Sequence, residues 1–314
     1  MPKPILIVAP RNDVHALTIQ RVLEVDFATE AIIWDTSLLS ENELLSFYPK
    51  HKNEIFHLDL LYNLIKGKDI HSIWWRRTNG FNKLPKSLND KVVNFSKNEY
   101  SSLLYGSVSS LNIPIINNPY AETFANRKPY QLSVAHNLCL TIPETIISND
   151  PSAIKKFWSE NDQNCIYKTL TPMSGQMLET RRLTEPDFAE LDKVRHAPII
   201  VQEAITGLDI RINVIGSQVF GASVKTNIKE SELDWRIDPS VKWEKHDIDR
   251  KLQDTLCLFV KNLGLYYGCI DMRLTPNGNY IFFEINPSGQ FLFIEIDTEQ
   301  PLSNSMAQLL MHQC

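Results

Sequence analysis

The sequence predicts an α/β protein, α+β in its later part, that is built from more than one subdomain. Its 314 residues exceed what a single hydrophobic core usually serves. In the first third, short apolar runs alternate with segments of helical periodicity, beginning with residues 4–9 and 14–25, which is typical of an open α/β layer. In the last third, two β-rich runs flank Asn277-Gly278, which indicates an antiparallel hairpin.

Composition and charge narrow the class of protein. With 43% hydrophobic and 22% charged residues, the chain has the composition of an ordinary globular protein. A net charge of -5 gives no global basic field, so nucleic acid is not an expected partner. No apolar run has the length that spans a bilayer, so we expect no membrane partner either. The five cysteines are scattered without metal-ligand spacing, which favours reduced thiols in a cytoplasmic protein.

The order of elements follows from apolar periodicity and from helix and turn signals. In the first unit we predict a helix over residues 14–25 and a long helix over 92–111, with strands over 4–9, 31–34, 55–58, 70–75 and 113–117. Further along we predict helices over 130–138, 153–159, 249–263 and 303–311, with strands over 144–147, 165–170, 199–205, 209–214 and 219–226.

Two arginines follow two tryptophans at the end of the strand predicted for residues 70–75. The carboxyl ends of strands are where α/β sheets hold ligands. Successive strand residues face opposite sides, so at least one of Arg76 and Arg77 should point into the molecule. Two interpretations stay open: a ligand contact, or a core tryptophan beside an arginine that pairs with an acid or caps a helix.

The predicted hairpin brings two acids together. In the register that a two-residue loop sets, Asp271 faces Glu284, and Asn286 lies two residues further along the same face. Facing carboxylates repel each other and normally need a cation between them. Oxygen ligands from Asp, Glu and Asn suit Mg²⁺. The alternative is a surface hairpin with solvated acids, which the apolar residues around the pair disfavour.

Several cations lie in the second two-thirds of the chain. Lys168 lies inside an apolar strand, where an amine is costly unless it meets an anion, although most strand lysines simply face solvent. The alternating segment 209–214 puts Asp209, Arg211 and Asn213 on one face. Together with Lys128 and Lys225, these cations and a Mg²⁺ site suit a nucleoside triphosphate. No GxxxxGK[ST] motif is present, so this is not a P-loop protein.

The order of the motifs NRK, YK, VQEAI-x-G-x-DIR, GCIDMR and FEINPSGQF resembles the ATP-grasp superfamily. Within it, residues 115–314 are most similar to the RimK-like branch, especially the MvdD-type maturases of microviridins and other graspetides. The WWRR strand resembles the domain that precedes the ATP-grasp region in those maturases. The resemblance implies an ATP-grasp fold with a pre-ATP-grasp α/β domain over residues 1–118, a central lid subdomain over 119–204 and a catalytic subdomain over 205–314.

The resemblance also implies roles for individual residues. The positions that match ATP contacts are Lys128, Lys168, Gln202, Glu203, Ala204, Ile205 and Asp209. Those that match Mg²⁺ ligands are Asp271, Glu284 and Asn286. Arg211 matches the arginine that steadies the γ-phosphate, with Lys225 and Arg273 as catalytic candidates beside it. For Arg273, a structural salt bridge to a neighbouring acid is an equal alternative. Residues 171–175 depart from the family pattern because they contain one glycine where many relatives have more.

The implied activity is an ATP-dependent ligation. A carboxylate would attack ATP to form an acyl-phosphate, and a hydroxyl or amine would then displace phosphate. We expect a maturase that forms ester or amide cross-links in a precursor peptide with leader and core. Arg76, Arg77 and the polar segment 228–243, which we predict to be an exposed loop over the site, are the candidates for contacts with that peptide. The alternatives are a RimK-like ligase for glutamate or other amino acids and a nucleotide-binding regulatory module. The resemblance further implies a homodimer.

Overall fold

The computed structural model describes residues 3–51, 55–60, 63–78, 80, 83–171, 180–224 and 241–312. The helices are α1 (Val14–Asp26), α2 (Asp90–Ser109), α3 (Pro119–Ala125), α4 (Lys128–Asn137), α5 (Pro151–Glu160), α6 (Arg250–Asn262), α7 (Leu292–Thr298) and α8 (Leu302–His312). Short 3₁₀ segments cover Thr36–Ser40, Gly67–Asp69 and Glu185–Arg195. Within the described ranges, no helix has both the length and the apolar character that a membrane crossing requires.

Within the described residues, the strands form four sheets. The first two sheets contain β1 (Ile5–Val8), β2 (Ala31–Trp34), β3 (Glu43–Phe47), β4 (Phe56–Leu60), β5 (Asn63–Lys66), β6 (Ser72–Trp75) and β7 (Ile115–Ile116). The third contains β8 (Thr145–Ser148), β9 (Cys165–Thr169), β10 (Arg181–Arg182) and β11 (Ile199–Glu203). The fourth contains β12 (Leu208–Ile215), β13 (Gln218–Val224), β14 (Trp243–Lys245), β15 (Tyr267–Leu274) and β16 (Tyr280–Asn286).

The N-terminal sheet is parallel, with the strand order β2-β1-β6-β7. Every residue of β1 is buried, as expected for a continuous apolar run in a parallel sheet covered on both faces. Asp13 caps α1 by accepting a hydrogen bond from the Ala16 N–H at 2.9 Å. The prediction of an α/β layer for this part of the chain is therefore confirmed.

A second, antiparallel sheet of β3, β4 and β5 lies beside it, and only β4 was predicted from the sequence. The hydrophobic pattern of β3 does not indicate a strand with one buried face, because a charged residue faces inward and an apolar residue faces outward. Glu43 is buried and paired with Arg11 at 3.3 Å, whereas Leu44 is 65% exposed. Burial of a paired acid is the exception to the binary pattern that sequence periodicity relies on.

The remaining two sheets are antiparallel and form the framework of the second half of the chain. The third sheet has the order β10-β9-β11-β8 and packs on α5 and the 3₁₀ segment Glu185–Arg195. The fourth has the order β14-β13-β12-β15-β16. In β12, Ile210, Ile212 and Val214 enter the core formed with α6, so the predicted alternation of this strand is confirmed.

The hairpin of β15 and β16 has the predicted pairing of Asp271 with Glu284, but not the predicted loop. Thr275 N–H bonds to Asn279 O at 2.9 Å, and Gly278 N–H to Thr275 O at 2.9 Å, so the loop contains residues 276–278 rather than two residues. Gly278 has a φ of +84°, the conformation that ends such a three-residue loop.

A β-bulge then corrects the register. Leu274 pairs with Tyr280 and Met272 with Phe282, one residue off the predicted register, and the shift between Met272 and Asp271 restores it. The extra residue on β16 is Phe283. A bulge bends its strand and redirects side chains, so the consecutive residues Phe283 and Glu284 both face the same cavity.

The N-terminal sheet and the C-terminal helices share one core. Ile7 and Trp74 pack in a cluster with Phe291, Ile294 and Met306. A second cluster, which includes Leu6 and Phe56, consists of residues from the N-terminal unit alone. The boundaries predicted after residues 118 and 204 stay predictions.

Asn117 joins the first unit to the last sheet. Its buried amide donates to Tyr267 O at 2.9 Å and to Pro287 O at 3.0 Å. Its Oδ1 accepts from the N–H groups of Tyr266 at 2.8 Å and Tyr267 at 3.0 Å. One side chain thus satisfies four backbone groups between the start of β15 and the loop after β16.

We expect Asn117→Ala to lower the free energy of unfolding by about 3 kcal/mol, because it leaves several partly or fully buried backbone groups without partners. Chemical denaturation of the purified protein measures this. The matched control is Asn94→Ala on the exposed side of α2, for which a change within about 0.5 kcal/mol is expected. Equal effects of the two variants would contradict the joining role of Asn117.

Candidate active site

A cavity of about 330 Å³ lies between the third and fourth sheets. Most of the residues predicted for the site line it. They are Lys168, Gln202, Glu203, Ala204, Ile205, Asp209, Arg211, Asp271, Arg273, Glu284 and Asn286. Lys128 reaches the same place from the start of α4 by its contact with Glu284. Lys225 lies outside the described residues, as do residues 172–175 and 225–240 of the predicted loops.

The two facing acids keep part of their surface open to the cavity. The side chains of Asp271 and Glu284 are 29% and 33% exposed. Asn286 adds an amide oxygen, which also accepts the Ser288 N–H at 3.0 Å. In the described part of the chain, no three His, Cys, Asp or Glu side chains form a metal cluster. Two carboxylates and an amide oxygen nevertheless fit Mg²⁺, which keeps several positions for water and phosphate oxygens.

Each of the two acids is paired with a cation. Arg211 donates from Nη1 to Asp271 Oδ1 at 2.9 Å, across paired strands β12 and β15. Lys128 Nζ donates to Glu284 Oε2. Opposite charges at this distance favour the ionised carboxylates and offset the repulsion between them. Both carboxylates are thus available as anions for a metal ion.

Arg211 is held in one position from several sides. Its guanidinium is 5.6 Å from the ring of Phe293, and Nη2 lies 3.4 Å from Gln290 O. Burial by itself lowers the pKa of Arg211, but Asp271, Cys269 and Tyr267 together outweigh it, so the net pKa is raised. This guanidinium therefore carries a fixed charge at the wall of the cavity.

Arg273 forms a salt bridge with a neighbouring acid, which was one of the two roles considered for it from the sequence. Its Nε and Nη2 lie 2.9 and 2.5 Å from Asp209 Oδ1, on the directly paired position of β12. Its Nη1 donates to Ile205 O at 2.8 Å. The contacts tie the segment after β11 to the fourth sheet, and a catalytic role for Arg273 stays a prediction.

The predicted adenine-binding segment, residues 202–205, has several of its backbone groups occupied. Glu203 N–H bonds to Glu144 O at 2.9 Å, and Ala204 N–H to Asn164 O at 2.9 Å. Gln202 is buried and donates through its side chain to Thr145 Oγ1 at 2.9 Å. The role of this segment stays a prediction, and it would have to use Ile205 N–H or carbonyl oxygens.

Three aromatic residues of the cavity were missed by sequence analysis. Phe283, Phe293 and Trp243 line it, and the ring of Phe283 lies 5.9 Å from Lys168 Nζ and 5.4 Å from the Arg273 guanidinium. Phe283 reaches the cavity only because of the β-bulge, and no local sequence motif predicts that bulge. Trp243 begins β14, at the end of a segment that was predicted as an exposed loop.

A second cavity of about 290 Å³ adjoins the first and shares Arg77 with it. Arg77 is exposed, whereas Arg76 is 1% exposed and donates to Ser288 O, so the prediction that one of the pair points inward is confirmed. Glu122 of α3 lines this second cavity and accepts a hydrogen bond from the Ser288 hydroxyl. Burial raises the pKa of Glu122 from its ordinary value of 4.5 to about 7. No sequence motif marks Glu122.

Two family models match the chain. Residues 4–123 match the MvdD pre-ATP-grasp domain, and residues 128–310 match the RimK-like ATP-grasp domain. The chain therefore belongs to the RimK-like ATP-grasp family. It is an ATP-grasp ligase with the ATP-grasp fold and an N-terminal pre-ATP-grasp domain, as the motifs indicated. No curated protein matches the sequence.

The solved structures that resemble the chain are ligases of the same type. The macrocyclase MdnC of Microcystis aeruginosa MRC, bound to the precursor peptide MdnA, is 27% identical, with a TM-score of 0.88 over 99% of this chain and 100% of that one. A RiPP-associated ATP-grasp ligase of Chryseobacterium gregarium, with ADP and a leader and core peptide, is 22% identical, with a TM-score of 0.87 over 99% and 97%. PsnB with a minimal precursor, Mg and ADP is 23% identical, with a TM-score of 0.83 over 98% and 96%.

The raised pKa of Glu122 predicts a pH-dependent cost to stability. As pH rises from 4.5 to 7, the unfolded state releases its proton while the folded state retains it, so stability falls and the full cost is present above pH 7. Glu122→Gln removes this cost, and its free energy of unfolding relative to wild type should rise by about 3 kcal/mol between pH 4 and pH 8.5.

Denaturation of both proteins across this pH range is the measurement. Because the two proteins are compared at each pH, the titration of His15, whose pKa burial lowers to about 4, cancels from the difference. Glu24→Gln on the exposed side of α1 is the matched control for the removal of one carboxylate. A pH-dependent difference for Glu122→Gln no larger than that for Glu24→Gln would show that burial does not raise the pKa of Glu122.

Proposed function

We propose that this ligase macrocyclises a ribosomal precursor peptide, using ATP and Mg²⁺ to join acidic side chains to hydroxyl or amine side chains through an acyl-phosphate. The observation that carries the proposal is the similarity to the macrocyclase MdnC, which covers 99% of this chain and therefore its N-terminal part as well as residues 128–310. The match of residues 4–123 to the MvdD pre-ATP-grasp domain favours this function over a RimK-like ligase acting on glutamate or other amino acids.

Asp271, Glu284 and Asn286 would hold the metal ion, and Mg²⁺ supplies neutralisation of phosphate charge during transfer. In the structure, Lys128 pairs with Glu284. A lysine amine displaced from that carboxylate lies beside the site and can pair with a phosphate oxygen. Lys128 would therefore exchange an acidic partner for an anionic substrate without leaving the cavity, with Lys168 as the second cation.

Arg211 would steady the γ-phosphoryl group. Its charge is fixed and its orientation is set by Asp271, Gln290 and Phe293 before substrate binds. Stabilisation by a group that needs no reorganisation is the form that contributes most to phosphoryl transfer. Arg273 has a different task, because its contacts with Asp209 and Ile205 hold the segment expected to bind adenine and ribose.

The remaining parts of the proposal concern the partners. Arg76, Arg77 and residues 228–243 stay the candidates for contacts with the peptide substrate. We propose a homodimer in the cytoplasm, with no nucleic-acid or membrane partner, on the grounds of the family resemblance and a net charge of -5. The domain boundaries at residues 118 and 204 are part of this proposal.

The main test is the intact mass of a peptide incubated with the protein and MgATP. The probes are MdnA, the precursor peptide bound by MdnC, and a synthetic leader-core peptide whose core is rich in Thr and Asp or Glu. We expect the loss of whole water masses with wild type, and no loss with Glu284→Gln or with the metal chelated, because the metal site is then incomplete. Glu24→Gln is the control that should react like wild type.

Two outcomes would count against this function. If both peptides keep their mass while free amino acids release ADP, the RimK-like alternative is correct. If neither peptides nor amino acids stimulate ADP formation, the cavity binds nucleotide without catalysis, as a regulatory module would.

Substitutions of Arg211 and Arg273 should affect different steady-state parameters. Arg211→Lys should lower kcat about 10²- to 10³-fold with little change in KM for ATP, because it removes a contact made in the transition state. Arg273→Lys should mainly raise KM for ATP, because it loosens the segment 202–205. Initial rates of ADP release at varied ATP measure both. A fall in kcat for Arg273→Lys as large as that for Arg211→Lys would instead make Arg273 catalytic.

A further inference from the structure

The second cavity has no part in ATP binding as proposed above. It lies where the end of β6, α2 and α3 meet the loop after β16, and its walls include Trp75, Arg77, Tyr105, Glu122 and Ser288. Two of these five lining residues are aromatic and three are polar or charged. Such a cavity accepts a short side chain with one polar group rather than a purely apolar one.

Only one of the two carboxyl oxygens of Glu122 has a hydrogen-bond partner among the described residues. Its Oε1 accepts the Ser288 hydroxyl, whereas Oε2 is buried and, among the described residues, has no hydrogen-bond partner. Buried polar atoms are nearly always paired, so an unpaired one requires an explanation. A carboxylate oxygen accepts hydrogen bonds, so the missing partner is a donor.

The second cavity adjoins the first. Arg77 lines both cavities. Ser288, which binds Glu122, lies two residues after Asn286 and two before Gln290, and both of these line the first cavity. The segment 286–290 thus contributes to both cavities, and under the proposed function a group held in the second cavity would approach the acyl group from this side.

We propose that the second cavity is the acceptor subsite for a Ser or Thr side chain of the peptide. The Glu122 carboxyl group, whose Oε2 is buried in the free protein, would turn towards the cavity and accept the hydrogen bond of that hydroxyl. This inference rests on the proposed function and assigns a residue to its second step. In that step the hydroxyl oxygen attacks the carbonyl carbon of the acyl-phosphate, and its proton passes to Glu122. The bond from carbon to the phosphate oxygen breaks, the ester forms, and Glu122 returns the proton to the departing phosphate.

The acidity of Glu122 suits this task. Burial raises its pKa to about 7, so near neutral pH it exchanges a proton readily in either direction. A carboxyl group with its ordinary pKa of 4.5 would hold a proton far more weakly. A general base works best when its pKa lies near the working pH.

The charge of the surroundings favours a hydroxyl over an amine. Arg77 lies in the wall, and Arg76 lies behind it against Ser288 O. Arg76 is in turn paired with Asp13 at 3.7 Å, so with Glu122 ionised the two arginines and the two acids balance. A lysine ammonium would add an uncompensated positive charge, whereas a hydroxyl adds none. The structure therefore assigns ester formation to this subsite.

The test separates the two chemical steps. The probe is the peptide that loses water in the mass assay, and hydroxylamine traps the acyl-phosphate as a hydroxamate. Glu122→Gln should form hydroxamate at the wild-type rate but close rings about 10²-fold or more slowly, because the amide cannot take a proton. Glu24→Gln should match wild type in both reactions.

If Glu122 had a purely structural role, the variants would rank differently in their rates of ring closure. Glu122→Asp keeps a carboxylate but packs less well, whereas Glu122→Gln keeps the shape and the acceptor for Ser288. We expect Glu122→Asp to close rings faster than Glu122→Gln. The reverse order, or wild-type ring closure by Glu122→Gln, would overturn the proposal, as would loss of hydroxamate in Glu122→Gln. Wild-type protein that forms neither product would overturn the proposed function itself.

The acceptor class is tested with the same peptide. Replacement of the acceptor Thr by Ser should preserve ring closure, and replacement by 2,4-diaminobutyrate should slow it at least about tenfold, because like charges are brought together. An amine peptide that closes as fast as the Thr peptide would overturn the preference for a hydroxyl.

Discussion

The facing carboxylates of Asp271 and Glu284 are the constraint on which the site depends. Two like charges on paired strands destabilise a sheet unless their surroundings compensate. The structure compensates from both sides, with Arg211 on the adjacent strand and Lys128 at the start of α4. These cations come from different parts of the chain, so the pair of acids also draws α4 and the fourth sheet together around one cavity.

The hairpin illustrates how far sequence reasoning reaches. Asn277-Gly278 predicted a turn and the pairing of Asp271 with Glu284, and both are present. The predicted loop was one residue too short, and the bulge at Phe283 moves the register back by one. The two departures cancel at the acids. Turn residues can be identified locally, whereas a bulge depends on what the strand packs against, so Phe283 could not be assigned to the cavity beforehand.

The same distinction, between features set by the local sequence and features set by packing, explains which other site residues were predicted and which were missed. The alternation of β12 identified Asp209 and Arg211, because a period of two is a local property of the chain. Asn117 and Glu122 act through partners about 150 residues away, such as Tyr267 and Ser288. Nothing in their own neighbourhoods in the sequence marks them, since an asparagine after a strand and a glutamate in a helix are common. Their roles exist only once the N-terminal sheet and the C-terminal helices share a core.

Glu122 is the residue whose presence stability does not explain. Its contact with Ser288 requires only an acceptor, and the amide oxygen of a glutamine would supply one without a charge to bury. A carboxyl group at this position is disfavoured in its ionised form by burial, which is the cause of its raised pKa. Proton transfer needs a group that can take up and release a proton, and an amide does not do so near neutral pH. The carboxyl group in the second cavity therefore fits a chemical role beside the cavity that forms the acyl-phosphate.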